Sequence, residues 1–115
     1  MSKPATASVR SSAHDLVQRL AKFFPDSTPV RIPIHFTRLS ATQARVESSV
    51  IEFGTPREIL FASDSELEFA ERLRVENSDG SFDAEASVVA VQYHDGKTAV
   101  AARFTHKVAN WIVKP

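Results

Sequence analysis

The stretch FDAEASVVAVQYHDGKTAVAARFT, residues 82–105, decides the fold class of this chain. Phe82, Ala84, Ala86, Val88 and Ala90 alternate with Asp83, Glu85 and Ser87, the period-two pattern of a strand with one buried face. His94-Asp95-Gly96-Lys97 supplies an Asp-Gly pair, which a two-residue hairpin favours because both central residues take positive φ. Residues 98–105 then return with Val100, Ala102 and Phe104 facing inward. Val89, Val91 and Tyr93 make the far end of the first strand apolar on both faces, so that end is expected to be covered.

Upstream the same period recurs. Val30, Ile32, Ile34 and Phe36 alternate with Arg31, Pro33, His35 and Thr37. Pro33 lacks the N–H that a ladder needs, which places this strand at an edge or gives it a bulge. An exposed edge would also offer pairing across a two-fold axis, so a homodimer is one expected assembly. Residues 43–53, 57–62 and 72–76 read as further strands, and Asn77-Ser78-Asp79-Gly80 as a hairpin turn. Before them, Ala13, Leu16, Val17, Leu20 and Phe24 fall at helical spacing, with Ser11 or Ser12 able to cap the start and Pro25 ending the run. The expected organisation is a disordered lead-in over 1–10, an amphipathic helix over 11–25 and a β-barrel over 27–115. One helix followed by about six short strands joined by tight turns gives a mainly β fold, a small six-stranded antiparallel barrel.

At 115 residues the chain is one domain in size, and 43% hydrophobic with 24% charged residues is the balance of a globular protein rather than a disordered one. Lysine plus arginine equals aspartate plus glutamate, 14 each, so no net field attracts a nucleic acid polymer or an acidic membrane. The absence of cysteine excludes disulfides, a thiolate nucleophile and Cys-based zinc sites. No apolar run approaches the roughly 20 residues that span a bilayer, and the polar N-terminus has no secretory h-region, so a cytoplasmic location is expected.

The motifs of catalysis are missing. There is no phosphate loop, and two of the three glycines, Gly80 and Gly96, fall in hairpin turns. His14, His35, His94 and His106 show neither HExxH nor i, i+4 spacing, so each is read as a surface or rim residue and no metal is expected. No serine stands in a GxSxG elbow. Glu66, Glu68 and Glu71 read as a solvated acidic face. The chain is expected not to be an enzyme and to need no cofactor.

Three stretches carry a family resemblance. Arg31-Ile32-Pro33-Ile34, then Ile59-Leu60-Phe61-Ala62-Ser63, then the closing hairpin from Glu85 to Phe104 resemble the PilZ domain, over about residues 27–106. The resemblance implies a barrel that binds cyclic di-GMP through an RxxxR pair, suited to phosphate and guanine by its planar guanidinium groups, and through a [D/N]xSxxG turn. This chain departs from both motifs. Arg31 matches the second arginine, but the first falls on Ser27. Anchored on Ile59-Leu60-Phe61, the second motif reads Phe53-x-Thr55-x-x-Glu58, where only Thr55 keeps the chemistry; the alternative register, Ser49-x-Ile51-x-x-Gly54, keeps the glycine and loses the serine. A lost bidentate contact and a repelling carboxylate at Glu58 would each cost on the order of 1–3 kcal/mol, enough to erase micromolar binding.

The resemblance therefore implies a degenerate PilZ module that binds a protein partner in cyclic di-GMP signalling. Arg31 is read either as a ligand residue or as the outward residue of an alternating strand, and Thr55 either as a ligand contact or as a turn residue. The helix stripe, with Leu16 and Leu20, either docks on a partner or packs on the open end of its own barrel. Trp111 either anchors a partner or lies back over the barrel. Two alternatives stand beside the adaptor: a cyclic di-GMP receptor with a non-standard site of Arg31, Arg38, Arg57 and Thr55, and an unrelated barrel with a structural or enzymatic role.

Overall fold

The computed structural model describes residues 5–39, 45–108 and 110–115, with side chains from residue 13 onward. One helix, α1 (Ala5–Ala21), precedes six strands: β1 (Thr28–Arg38), β2 (Val46–Gly54), β3 (Glu58–Ser63), β4 (Arg72–Asn77), β5 (Asp83–His94) and β6 (Lys97–Phe104). All pairings are antiparallel, and the strands close in the order β1-β2-β3-β6-β5-β4. The expected six-stranded antiparallel barrel behind an N-terminal helix is the observed fold. Among the described residues no helix is long and apolar enough to cross a membrane.

α1 begins before Ser11 and Ser12, so neither residue is its cap. Ala5-Thr6-Ala7-Ser8-Val9-Arg10 contains no breaker, and the helix continues through it. At the other end Lys22, Phe23 and Phe24 donate their N–H groups three residues back, to Arg19, Leu20 and Ala21. This tightened turn carries the coil to Phe24, where Pro25 forbids more.

β1 has both features that a proline needs. It is bulged between Pro29 and Ile32 opposite β2, and β4 pairs with it only from Ile34 onward. Pro33 therefore has a strand neighbour on one side alone, opposite Val50. Further along, β1 is paired on both sides, so it is not an edge strand over its whole length.

The alternating residues fill the barrel. Ile34 and Phe36 of β1, Ile51 of β2, Ile59 and Phe61 of β3, Leu73 and Val75 of β4, Ala84, Ala86 and Val88 of β5, and Val100 and Ala102 of β6 form one buried cluster. Phe36 and Phe61 meet at its centre, ring centroids 5.1 Å apart. Leu67, in the β3–β4 connection, closes one end, and Trp111 from the C-terminal tail closes the other.

The helix does not plug an open end. Leu16, Val17, Leu20 and Ala21 lie on the outer wall, against Leu60 of β3 and Ala99 and Ala101 of β6. The alanines explain the site: with one carbon each they let the helix approach the sheet closely. Burying Leu16, Val17 and Leu20 contributes roughly 1.5–3 kcal/mol each.

Candidate functional site

β2 and β3 are joined by a turn that holds two residues of the implied ligand motif. The Thr55 N–H donates to the Glu58 carbonyl at 2.9 Å, and the Thr55 hydroxyl oxygen accepts the N–H groups of Arg57 and Glu58 at 3.1 and 2.8 Å. The same hydroxyl donates to Glu58 Oε1. Across the β3–β6 ladder, Arg103 stands opposite Glu58, donates a hydrogen bond from Nε to Oε2 at 2.8 Å and sets a terminal nitrogen in ion-pair contact with the same oxygen at 2.7 Å. Trp111 Nε1 donates to the Thr55 carbonyl at 2.6 Å. Thr55 and Glu58 are both buried, and every polar group they carry has an internal partner. Glu58 thus completes a structural network, and its charge is balanced by Arg103.

Beside this turn is an open recess of about 770 Å³, lined by Asp26, Thr28, Pro56, Arg57, Val113 and Lys114 among others. Arg57 is exposed there, and Arg31 is exposed on β1 between the inward-facing Val30 and Ile32. Neither guanidinium takes part in an ion pair among the described residues. Ser27, where the first ligand arginine would stand, bonds through its N–H to the Phe24 carbonyl at 2.9 Å.

Arg38 is elsewhere. It closes β1 opposite Leu73, seven residues and roughly 20 Å along the strand from Arg31. There it forms a two-point ion pair with Glu71, whose Oε1 also accepts the Glu68 N–H at 3.0 Å. The Glu71 bond holds the Arg38 guanidinium above its already high ordinary pKa. The fold brings Arg31, Thr55 and Arg57 to one end of the barrel and leaves Arg38 at the other, so the four do not form one ligand site. Of the acidic run, Glu66 and Glu68 are exposed as expected, whereas the Glu71 side chain is largely buried by its ion pair.

The residues expected to meet a partner lie inside the chain's own fold. Leu16 and Leu20 are 5% and 2% exposed under the helix. Trp111, 3% exposed, packs on Phe82 and Phe104 with ring centroids 5.5 and 5.4 Å away. A Cβ at Gly54 would lie 2.5 Å from Trp111 Cζ2, so the glycine is the seat of the indole.

Val91 and Tyr93 were expected to be covered and are 39% and 59% exposed. Phe23 and Phe69 are more exposed still, at 71% and 74%. The signal for β5 was present in its doubly apolar end, but the strand outruns the barrel that would cover it. The sequence matches no model of a known protein family, and no curated protein matches it.

Proposed function

We propose that this chain is a non-catalytic bacterial signalling module of the PilZ type, acting in the cytoplasm as a protein-binding adaptor in cyclic di-GMP signalling, with a degenerate nucleotide site. One observation carries the reading: the Thr55–Glu58 turn spends its polar groups on Arg103, Trp111 and itself. A dianionic nucleotide that took its contacts from this turn would have to break the Arg103–Glu58 pair, and the buried carboxylate left beside it costs a few kcal/mol. The separation of Arg38 from Arg31 and Arg57 removes one cation from the receptor alternative. Of the receptor set, two guanidinium groups remain at this end of the barrel, Arg57 in the recess beside Lys114 and Arg31 on β1, which is fewer bidentate contacts than two phosphates and two guanines call for.

Isothermal titration of the full chain with cyclic di-GMP tests the degenerate site. The expected result is no binding heat from folded protein. One-site heat that is lost in Arg31→Glu would replace the adaptor reading with the receptor reading. Cross-linking of the chain in its host cytoplasm then tests the adaptor, with one protein captured in fixed stoichiometry as the expected result.

A further inference from the structure

β5 outruns the strand beside it. On one side it stays paired with β6 as far as His94 opposite Lys97. On the other, β4 pairs with it only up to Ser87 opposite Arg72. Val88 still finds partners there: its N–H donates to the Glu71 carbonyl and its carbonyl accepts the Ala70 N–H, both at 2.8 Å. Beyond Val88 no described residue pairs with this edge.

The phase of the open edge follows from both ends. The register shift between Val88 and Ala90 inserts one residue, so the next backbone groups on the side of Val88's outer bonds are those of Val91 and Tyr93. From the hairpin, Asp95 and Gly96 have φ of 50° and 79°, the type I′ pair that bonds His94 to Lys97 and turns Tyr93 and Val91 away from β6. Their side chains share the face of the buried Val100 and Thr98 but stand at the open edge beside them, partly exposed. Gln92 between them has its Oε1 buried without a donor.

We propose that this edge pairs antiparallel with the same edge of a second copy of the chain, about a two-fold axis through Gln92. That axis sets Val91 opposite Tyr93 of the second copy and Tyr93 opposite its Val91. All four outward backbone groups of each edge then have partners, and two aromatic–β-branched pairs form across the junction. An axis through Val91 or Tyr93 instead would face one of these residues with Val89, whose groups turn to β6, or with Asp95 in the turn. Gln92 stands opposite its symmetry mate in the non-hydrogen-bonded pair at the axis. Ala90 falls opposite His94 and Val89 opposite Asp95, which leaves no like charges face to face. The chain's formal net charge of zero adds no long-range repulsion between copies. With so few residues at the junction, the association belongs to the weak, concentration-dependent class.

Sedimentation velocity on the full chain over a concentration series, joined to a cross-linking test, decides the matter. The chain has no cysteine, so Gln92→Cys adds a single thiol at the axis. A non-hydrogen-bonded pair there brings Cα atoms to about 4.5 Å, within disulfide reach. The expected results are a monomer–dimer equilibrium, oxidation of Gln92→Cys to a covalent dimer well ahead of an exposed Ser78→Cys control, and a monomer in Val91→Lys with its melting temperature unchanged. A chain that stays monomeric throughout, with no faster oxidation at 92 than at 78, overturns the proposal and leaves the edge to a foreign strand. A dimer that persists in folded Val91→Lys without the cross-link at 92 overturns it equally.

Discussion

The indole N–H of Trp111 donates to the Thr55 carbonyl at 2.6 Å, tying the C-terminal tail to the turn that opens β3. The ring also packs on Phe82 and Phe104, so the bond and the apolar contacts close one end of the barrel together. Trp111→Ala is expected to cost about 3–5 kcal/mol, the range for a buried aromatic whose cavity cannot collapse. Trp111→Phe keeps most of the packing and leaves the Thr55 carbonyl unpaired, a loss of about 1–3 kcal/mol. Urea denaturation followed by far-ultraviolet circular dichroism measures both, since the probe cannot be the tryptophan itself.

Gly54 is fixed by the same ring. Its φ is ordinary, and what forbids a side chain is the 2.5 Å approach of Cζ2 to the position of a Cβ. Gly54→Ala should lose about 1–3 kcal/mol through overpacking. Phenylalanine has no Cζ2, so the penalty should shrink in a Trp111→Phe background. A double-mutant cycle that returns simple additivity would sink this account.

The strands and hairpins were legible because a barrel wall with one buried face writes a period of two into each strand, as in Ile34, Phe36, Val75 and Val88. The Asp95-Gly96 turn was legible because few residues take positive φ at low cost. The seat of α1 was not. A stripe such as Leu16, Val17 and Leu20 states that a face is buried, while the choice of wall over open end depended on Ala99 and Ala101 lying outward on β6. The role of Glu58 was equally hidden, because its partner Arg103 is 45 residues away and only the β3–β6 register brings them together. Local spacing shows Glu58 as a repelling charge; the fold shows it as a neutralised one.

That pairing predicts an asymmetry. Arg103→Met leaves a buried Glu58 carboxylate with Thr55 as its remaining side-chain donor. The Arg103 side chain is itself 53% exposed and water partly replaces it, so the loss should be about 1–2 kcal/mol rather than the larger figure for a fully buried pair. Arg103→Met combined with Glu58→Gln removes the stranded charge and should recover part of that loss. Chemical denaturation of the parent chain, Arg103→Met and the double variant gives the comparison, and a double variant less stable than Arg103→Met contradicts the argument.

Leu20 is 2% exposed beneath α1, and Leu20→Ala should cost about 2–5 kcal/mol if the helix and barrel unfold together. A smaller loss accompanied by new binding of a hydrophobic dye would mean that the helix detaches while the barrel survives, uncovering Leu60, Ala99 and Ala101. Dye fluorescence measured alongside the melting curve separates the two outcomes.

Acid should destabilise the protein through its exposed carboxylates. Asp83 is held below its ordinary pKa of 3.8, first by the hydrogen bonds from Arg74, at 3.1 and 2.7 Å. Asp79 is lowered too, chiefly because its carboxylate accepts the Ser81 N–H at 2.9 Å in the β4–β5 turn. A carboxyl group with a depressed folded-state pKa binds its proton more readily in the unfolded chain. Its stabilising contribution is therefore complete above the unfolded value and is lost as pH falls through the folded one. Melting temperature should stay level from neutrality down to about pH 5 on account of these two groups and then fall in the acid range. Asp83→Asn should lower the neutral plateau slightly and flatten the acid limb, since the titrating group is gone while Arg74 loses only a partner at an exposed site. An acid limb of unchanged slope in Asp83→Asn and Asp79→Asn alike would place the acid sensitivity in other groups.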